Sequence, residues 1–282
     1  MLCLSSFLFF SCDTILDLLG SSGGGSPSPS FTESEAVEAM KSALNVGAEA
    51  SSKHLSQVDA YYSSPLKIPL PPEVESAIKT LRSISGAGDL LGDLLGDLLG
   101  DLLGDLLGDL LGDLLGDLSD DLVEKVVLSV NRSAEEAANE VVPIFSEAIT
   151  GMTVQDGIGI VKGERDAATV YLKDKTYEQL MKLYQPKMKA VLEQDLIGSM
   201  SANEAWETLT GTYNNIVTVA GVAGKELVPI NTNLSEYVTG KALDGVFIKV
   251  AEEEGKIRDN PLDYAENIIK KVFGAVKGIL TN

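Results

Sequence analysis

Apolar positions spaced three and four residues apart recur through most of the chain, which is the pattern of helices that bury one face. Thr32 and Glu35 open the first such segment as a capping box, because Glu35 can reach back to the Thr32 backbone N–H. Short Gly, Pro or Asn turns separate the segments. The predicted helices span residues 33–55, 73–84, 120–148 with an interruption near Pro143, 153–162, 164–174, 177–194, 201–217, 235–254 and 261–273. No stretch alternates with period two long enough to predict a sheet, so the predicted fold class is all-α, a multi-helix bundle.

One segment departs from this pattern. The tetrapeptide Gly-Asp-Leu-Leu starts at Gly88, recurs without error through the copy at Gly112 and decays over residues 116–119. In a helix, a four-residue period moves the leucine pair about 40° further around the axis with each copy. Glycine at every fourth position costs about 1 kcal/mol per copy relative to alanine. We therefore expect residues 88–118 to be a tetrapeptide-repeat insert that forms a marginal, protruding helix or helical hairpin and can self-associate.

The first twelve residues resemble a bacterial lipoprotein signal. A short apolar run ends in a small residue, Ser11, directly before Cys12, whose thiol could then carry a diacylglycerol. Two features differ from the usual pattern: Phe9 stands where leucine is common, and no Lys or Arg precedes the run. The alternative is an N-terminal strand or buried apolar segment with an incidental cysteine.

The remaining chain divides into two predicted parts. Residues 13–31 are rich in Gly, Ser and Pro and predict a flexible tether, and residues 32–282 predict a single helical domain that contains the insert. With Cys12 lipidated, the domain would hang from a membrane of the bacterial cell envelope, either facing the periplasm or at the outer membrane. The membrane is then a partner through the lipid anchor.

Composition excludes several classes of site. The net charge is −20, and no Lys/Arg cluster is interleaved with aromatic residues, so we expect no nucleic-acid partner. Cys3 and Cys12 are the only cysteines and His54 is the only histidine, which excludes a disulfide in the folded part and any site that needs two imidazoles. The acidic run 252–254, beside Lys256 and Arg258, predicts a solvated helix face rather than a calcium loop. No metal site and no cofactor are predicted.

A family resemblance follows from several segments taken in order: Asn131-Arg132-Ser133-Ala134-Glu135, Pro143-Ile144-Phe145, Asp166-Ala167-Ala168-Thr169, Tyr237 to Phe247, Ala251-Glu252-Glu253-Glu254 and Lys271-Val272-Phe273-Gly274. With these segments the chain resembles the bacterial domain of unknown function 4197 over about residues 32–274, interrupted by the insert. The resemblance implies an exported, helical envelope protein. It transfers no catalytic residue, and it implies that the family connects the helices on either side of the insert directly.

The first candidate site is a polar cluster between helices. Asn131, Arg132 and Glu135 fall within about one helical turn, and Arg165 and Asp166 open another helix. Together they could form a site for a small ligand or a partner. The alternative is an ion-pair network that fixes the register of the helices.

The second candidate site is one face of a single helix. Tyr237, Lys241 and Asp244 follow one another at four- and three-residue steps, so their side chains are neighbours. A buried Lys beside Tyr and Asp can perform acid–base chemistry, whereas at a surface the same residues form a polar network. We therefore predict a non-enzymatic binding or structural domain that contacts another envelope protein or a small ligand. The alternative is an envelope enzyme, which requires these three residues to converge with Arg132 and Arg165 in one concave pocket.

Overall fold

Within residues 30–85, 120–195, 200–222 and 227–280, which the computed structural model describes, the chain is helical and has no β-strand. The all-α prediction is therefore confirmed. The helices are α1 (Glu33–Leu55), α2 (Pro72–Ser85), α3 (Asp120–Ala137), α4 (Val141–Gly151), α5 (Gly157–Lys162), α6 (Ala167–Leu192), α7 (Ala202–Val222), α8 (Leu234–Asp259) and α9 (Asn267–Leu280). The predicted leader, most of the tether and the predicted repeat insert lie outside the described residues. Phe31, which the prediction assigned to the tether, is buried in the core.

Several helices begin at the polar residues that the sequence offers as caps. The capping box at Thr32 is confirmed, since the Glu35 backbone N–H donates to Thr32 Oγ1 and the Thr32 N–H donates to Glu35 Oε2, at 3.3 and 2.9 Å. Asp156 accepts a hydrogen bond from the Gly159 N–H at 2.7 Å and starts α5. Asn233 caps α8 in the same way.

The predicted break between residues 174 and 177 is wrong, because α6 is one continuous helix. Thr176 is buried, and its hydroxyl donates to the Leu172 carbonyl one turn earlier at 2.6 Å. Its polar group is therefore satisfied inside the helix, and the buried stripe continues through Leu180 and Tyr184. Pro186 lies inside the same helix without ending it.

Two other predicted boundaries also differ. The interruption expected near Pro143 is a 3-10 turn at Ala138–Glu140, and Pro143 itself stands in the first turn of α4, where a missing N–H is tolerated. The segment 261–273 is not one helix, since a 3-10 turn at Pro261–Asp263 precedes α9.

Helix α1 lies at the centre of the described domain and packs against α4, α5, α8 and α9. The small residues of α1 allow the neighbouring helices to pack closely against it. A Cβ atom on Gly47 would lie 3.0 Å from Val250 Cγ1 on α8, so the two backbones approach closely only because Gly47 has no side chain. Helix α8 also packs along α6, and α6 contacts α3. The α6 and α8 pair therefore packs against both α1 and α3.

Candidate functional site

Helices α6 and α8 run in opposite directions and enclose an open cavity of about 510 Å³, which we call the α6/α8 groove. The direction follows from pairs of contacts. Near the start of α6, Thr169 Oγ1 donates to Glu254 Oε2 late in α8, and near its end Gln185 Nε2 donates to Ser235 Oγ early in α8. The cavity lies between these two contacts.

Each wall of the α6/α8 groove is one helix face. The α6 wall comprises Tyr177, Glu178, Met181, Lys182 and Gln185. The α8 wall comprises Glu236, Tyr237, Gly240, Lys241 and Asp244. Both sets follow the same spacing of i, i+1, i+4, i+5 and i+8. Helix periodicity alone therefore places each set on one side of its helix. The sequence prediction contained three residues of the α8 wall and none of the α6 wall.

Gly240 and Tyr177 lie opposite each other on the two walls of the groove. A Cβ atom on Gly240 would lie 3.6 Å from the Tyr177 hydroxyl oxygen, which is ordinary van der Waals contact. The Tyr177 ring stacks on Phe247 with centroids 6.2 Å apart, and this contact fixes its orientation. Partial burial, with smaller contributions from Asp244 and Glu178, raises the pKa of Tyr177, so its hydroxyl stays protonated at neutral pH and acts as a donor.

Tyr237, Lys241 and Asp244 share the groove but do not bond to one another. The Tyr237 hydroxyl donates to the Pro69 carbonyl at 3.0 Å, and Asp244 Oδ1 accepts from Lys173 Nζ at 2.9 Å. Lys241 Nζ lies 5.9 Å from the centroid of the Tyr237 ring. Burial raises the pKa of Tyr237, with Glu75 and Glu73 adding to the effect. Two of the three polar groups are therefore engaged elsewhere, and the geometry supplies no acid–base pair among them.

The cluster at residues 131–135 does not line the groove and connects α3 to the segment between α1 and α2. Asn131 Oδ1 accepts from the Ile68 N–H at 2.8 Å, and Asn131 Nδ2 donates to the Ile68 carbonyl at 2.9 Å. Glu135 Oε1 accepts from the Tyr61 N–H at 3.0 Å. Arg132 forms ion pairs with two carboxylates, Glu135 at 2.6 Å on its own helix and Asp59 in the segment after α1. We call Asn131, Arg132 and Glu135 the α3 clamp, because their contacts hold a loop in register.

Asp59 Oδ1 lies 2.7 Å from Arg132 Nη2. The hydrogen bond from Arg132 lowers the pKa of Asp59. Asp59 also has a positive φ of 68°, the left-handed region that non-glycine residues seldom occupy. The ion pair with Arg132 thus stabilises an unfavourable turn, which is a structural role.

Arg165 and Asp166 form neither part of the groove nor part of the α3 clamp. Arg165 makes a two-point ion pair with Asp259 at the end of α8, with distances of 2.6 and 2.5 Å. This hydrogen bonding lowers the pKa of Asp259. Asp166 precedes α6, yet its side chain does not cap the helix. Glu254 does so instead, accepting from the Thr169 N–H at 2.8 Å.

The burial of Glu254 corrects the prediction that residues 252–254 form a solvated face. Glu252 is exposed, but Glu254 is 1% exposed. The sequence showed three similar carboxylates, and the donors that distinguish Glu254 are backbone N–H groups and Arg258. Arg258 stands one helical turn after Glu254 in the sequence, whereas only the fold reveals the backbone donors at Ala168 and Thr169.

The five residues of the enzyme hypothesis therefore separate into three places. Arg132 lies in the α3 clamp, Arg165 pairs with Asp259, and only the three α8 residues line the groove. Among the described residues, no three His, Cys, Asp or Glu side chains are grouped so that they could hold a metal ion. No helix in the described ranges has the length and hydropathy to cross a membrane.

Comparison with known proteins identifies one family. A comparison with curated proteins and with solved structures gave no match. The family described as "Protein of unknown function (DUF4197)" matches residues 30–98 and 111–274. The matched ranges extend into the repeat from both sides and omit residues 99–110, the length of three tetrapeptide units. Because the match covers most of the sequence, the chain belongs to the DUF4197 family.

Proposed function

We propose that this chain is a lipid-anchored protein of the bacterial cell envelope whose helical domain binds a small solute in the α6/α8 groove. One observation carries the proposal. Four charged side chains on the groove walls, Glu178, Lys182, Glu236 and Lys241, make no hydrogen bond or ion pair with any residue that the structure describes. All four side chains are exposed to solvent, so the groove presents charged groups that a solute can reach.

The volume of the groove lies in the range of small-molecule sites. Pockets that hold small molecules usually have volumes of roughly 300–1,000 Å³ and combine apolar surface with a few polar groups. The α6/α8 groove has about 510 Å³, and its aromatic surface comes from Tyr177 and Tyr237. The α3 clamp and the Arg165 pair contrast with it, because their charged groups already have partners in the domain.

The anchor in this proposal is Cys12. A cysteine that follows a short apolar run and a small residue fits lipid attachment, and residues 13–30 would separate the lipid from the helical domain. More than one acyl chain makes such anchoring stable. The anchor would keep the groove near a membrane surface.

The binding site can be tested by filling the groove. Gly240→Leu would place a side chain beside the Tyr177 hydroxyl, whereas Gly211→Leu adds the same side chain to α7 where nothing lies within 4 Å of the added Cβ. The melting temperature of each protein is measured with and without a dialysable small-molecule extract of the bacterium that makes the protein. A ligand that binds the folded state raises the melting temperature. We expect a rise for the wild type and Gly211→Leu and none for Gly240→Leu. An equal rise in Gly240→Leu, or no rise in the wild type, would refute the assignment of the groove.

A further inference from the structure

A second cavity, of about 570 Å³, lies where the end of α6 meets the starts of α7 and α8, and we call it the Trp206 pocket. Its volume also lies in the range of small-molecule sites. Helix α6 contributes Lys189 and Glu193 to its walls, α7 contributes Trp206 and Glu207, and the start of α8 contributes Leu234 and Ser235. Gln185 lines both this pocket and the α6/α8 groove, so the two cavities are neighbours.

Trp206 brings an unused hydrogen-bond donor to this pocket. The residue is 5% exposed, so the core holds its ring in place. No hydrogen bond joins its indole N–H to any residue that the structure describes, although a buried tryptophan usually has a partner for this group. The nitrogen is not among the fully buried side-chain atoms that lack a partner, so the small exposed part of Trp206 includes it. The indole N–H therefore faces the open side of the ring, which is the pocket.

The first turn of α8 supplies two more donors. The N–H groups at the start of a helix have no acceptor within the helix and point outward along its axis. Asn233 accepts from the Glu236 N–H, whereas the Leu234 and Ser235 N–H groups have no acceptor in the described part of the chain. Both residues line the Trp206 pocket. These two N–H groups and the Trp206 indole are held by a helix and by the core, so the three donors cannot turn away as an exposed side chain can.

The charged side chains on the pocket walls add acceptors to these fixed donors. Among the described lining residues they are the carboxylates of Glu193 and Glu207 and the ammonium group of Lys189, and all three are exposed at the rim. An anion would therefore meet an excess of negative charge. A cation would meet the positive end of the α8 dipole together with three N–H donors. The pocket favours a neutral ligand that accepts hydrogen bonds at the floor and donates them at the rim.

We propose that the Trp206 pocket binds a neutral sugar, a function that goes beyond the solute binding of the α6/α8 groove and does not depend on it. Each sugar hydroxyl both accepts and donates a hydrogen bond. Hydroxyl oxygens of the sugar accept from the indole N–H and from the two free N–H groups of α8, while neighbouring hydroxyls donate to Glu193 and Glu207. Hydrogen bonds to carboxylates are stronger than those between neutral groups, so the rim strengthens binding without requiring a charge on the ligand.

Other classes of solute use fewer of these groups. A phosphate or a carboxylate offers only acceptors and would place its charge beside Glu193 and Glu207. An amine offers only donors and would leave the indole and helix N–H groups unpaired. An apolar molecule would take all of these polar groups out of water without replacing their hydrogen bonds, which is unfavourable. A sugar satisfies the donors and the acceptors together.

The test uses the fluorescence of the indole itself. Trp206 is the only tryptophan in the chain, so the tryptophan emission of the full chain reports on this pocket. The protein is titrated with glucose, N-acetylglucosamine and maltose, and separately with inorganic phosphate. We expect at least one sugar to shift the emission saturably, with a dissociation constant about tenfold or more below that of phosphate, because like charges in contact oppose binding. No saturable shift with any of the three sugars, or an equal or higher affinity for phosphate, would overturn the inference.

Two double variants test the carboxylates at the rim. Glu193→Gln with Glu207→Gln changes exposed positions only and should weaken sugar binding about fivefold or more, because two charged acceptors become neutral. The matched control, Glu49→Gln with Glu147→Gln, removes two exposed carboxylates that do not line the pocket and should keep the wild-type affinity. Unchanged affinity in the first double variant would contradict the inference.

Single variants, measured by calorimetry, locate the sugar at the indole. Trp206→Phe removes the N–H and keeps an aromatic ring, and it should lower the sugar affinity about fivefold. Tyr213→Phe removes a polar group from another buried aromatic residue of α7 and should keep that affinity. Gly240→Leu alters the α6/α8 groove but not the Trp206 pocket, so it should also keep it. Full affinity in folded Trp206→Phe, or its loss in Gly240→Leu, would place the sugar elsewhere and overturn the inference. If Trp206→Phe does not fold, the double variant at the rim decides.

Discussion

Arg258 donates from Nε and Nη2 to one oxygen of Glu254, at 3.0 and 2.7 Å, and both side chains are largely or fully buried. Each also reaches a different helix end. Glu254 accepts from the Ala168 and Thr169 N–H groups at the start of α6, and Arg258 Nη1 donates to the Val161 carbonyl near the end of α5. A carboxylate at a helix N-terminus and a guanidinium at a C-terminus both complement the helix dipole. The pair therefore joins α5, α6 and α8.

Removing one member of this pair should be strongly destabilising. In Glu254→Ala, Arg258 keeps its buried charge without a carboxylate, and the first turn of α6 loses its cap. We expect the free energy of unfolding to fall by about 3–5 kcal/mol, measured by urea denaturation. Glu252→Ala, which removes an exposed carboxylate paired with Lys249, is the matched control and should cost at most about 1 kcal/mol. Similar losses in both variants would contradict the structural role of Glu254.

The α3 clamp gives a second prediction. Asn131→Ala leaves the Ile68 N–H and carbonyl without the partners that they have in the fold, and this should cost about 1–3 kcal/mol. Hydrogen exchange of the Ile68 amide should become faster. Asn139→Ala removes an exposed asparagine from the same region and should change stability by less than about 0.5 kcal/mol. Unchanged exchange at Ile68 would show that Asn131 does not hold this loop.

A third prediction concerns acid stability. The hydrogen bond from Lys271, followed by the Thr32 N–H, lowers the pKa of the Glu35 carboxyl below its ordinary value of 4.5. A carboxyl whose pKa is lower in the folded state stabilises the protein above its unfolded pKa, and that stability is lost as the pH falls through the folded value. The stability difference between the wild type and Glu35→Gln should therefore be constant above about pH 5 and shrink at lower pH. Unfolding curves from pH 7 to pH 2 measure this, with Glu38→Gln as the control. A difference that grows on acidification would refute it.

Lipid anchoring at Cys12 gives a fourth prediction. Cys12→Ala removes the thiol that would carry the lipid, so the protein should move from the membrane fraction to the soluble fraction of lysed cells. Ser11→Ala keeps a small residue before the cysteine and should leave the distribution as it is in the wild type. Retention of Cys12→Ala in membranes would show that another segment or partner holds the protein there.

The repeat gives a fifth prediction. Deleting four of its tetrapeptide units should leave the melting temperature of the helical domain nearly unchanged, because a helix with glycine at every fourth position adds little stability of its own. Differential scanning calorimetry of the shortened and full chains makes the comparison. A fall of many degrees would show that the repeat contributes to the core.

The fold class and several helix starts could be predicted from the sequence because their signals are local. Thr32 caps α1 together with Glu35, so the residues that matter are close in the chain. The predicted start of α5 at residue 153 is wrong, since Asp156 caps this helix and it begins at Gly157. The continuity of α6 could not be predicted, since the polar stretch around Thr176 resembles a turn and only burial makes it helical. The α6 wall itself lies within the predicted helix 177–194, so this error did not hide it.

The groove itself depends on a pairing between residues far apart in sequence. Tyr237 and Lys241 could be placed on one helix face, but nothing local indicates that Tyr177 lies across from Gly240. The convergence of Arg132 and Arg165 that the enzyme alternative required does not occur. Each arginine has a carboxylate partner that becomes close only through folding, Asp59 in one case and Asp259 in the other.

The contacts of the α3 clamp affect which changes in repeat copy number the protein tolerates. Asn131 and Glu135 position α3 against Ile68 and Tyr61, which precede the repeat in sequence, so this docking does not depend on the length of the connection through the repeat. Each tetrapeptide corresponds to twelve nucleotides, and gaining or losing one preserves the reading frame. Slippage during DNA replication can therefore lengthen or shorten this connection while leaving the contacts of the clamp intact. Closely related strains are then free to differ in copy number without losing the contacts of the α3 clamp.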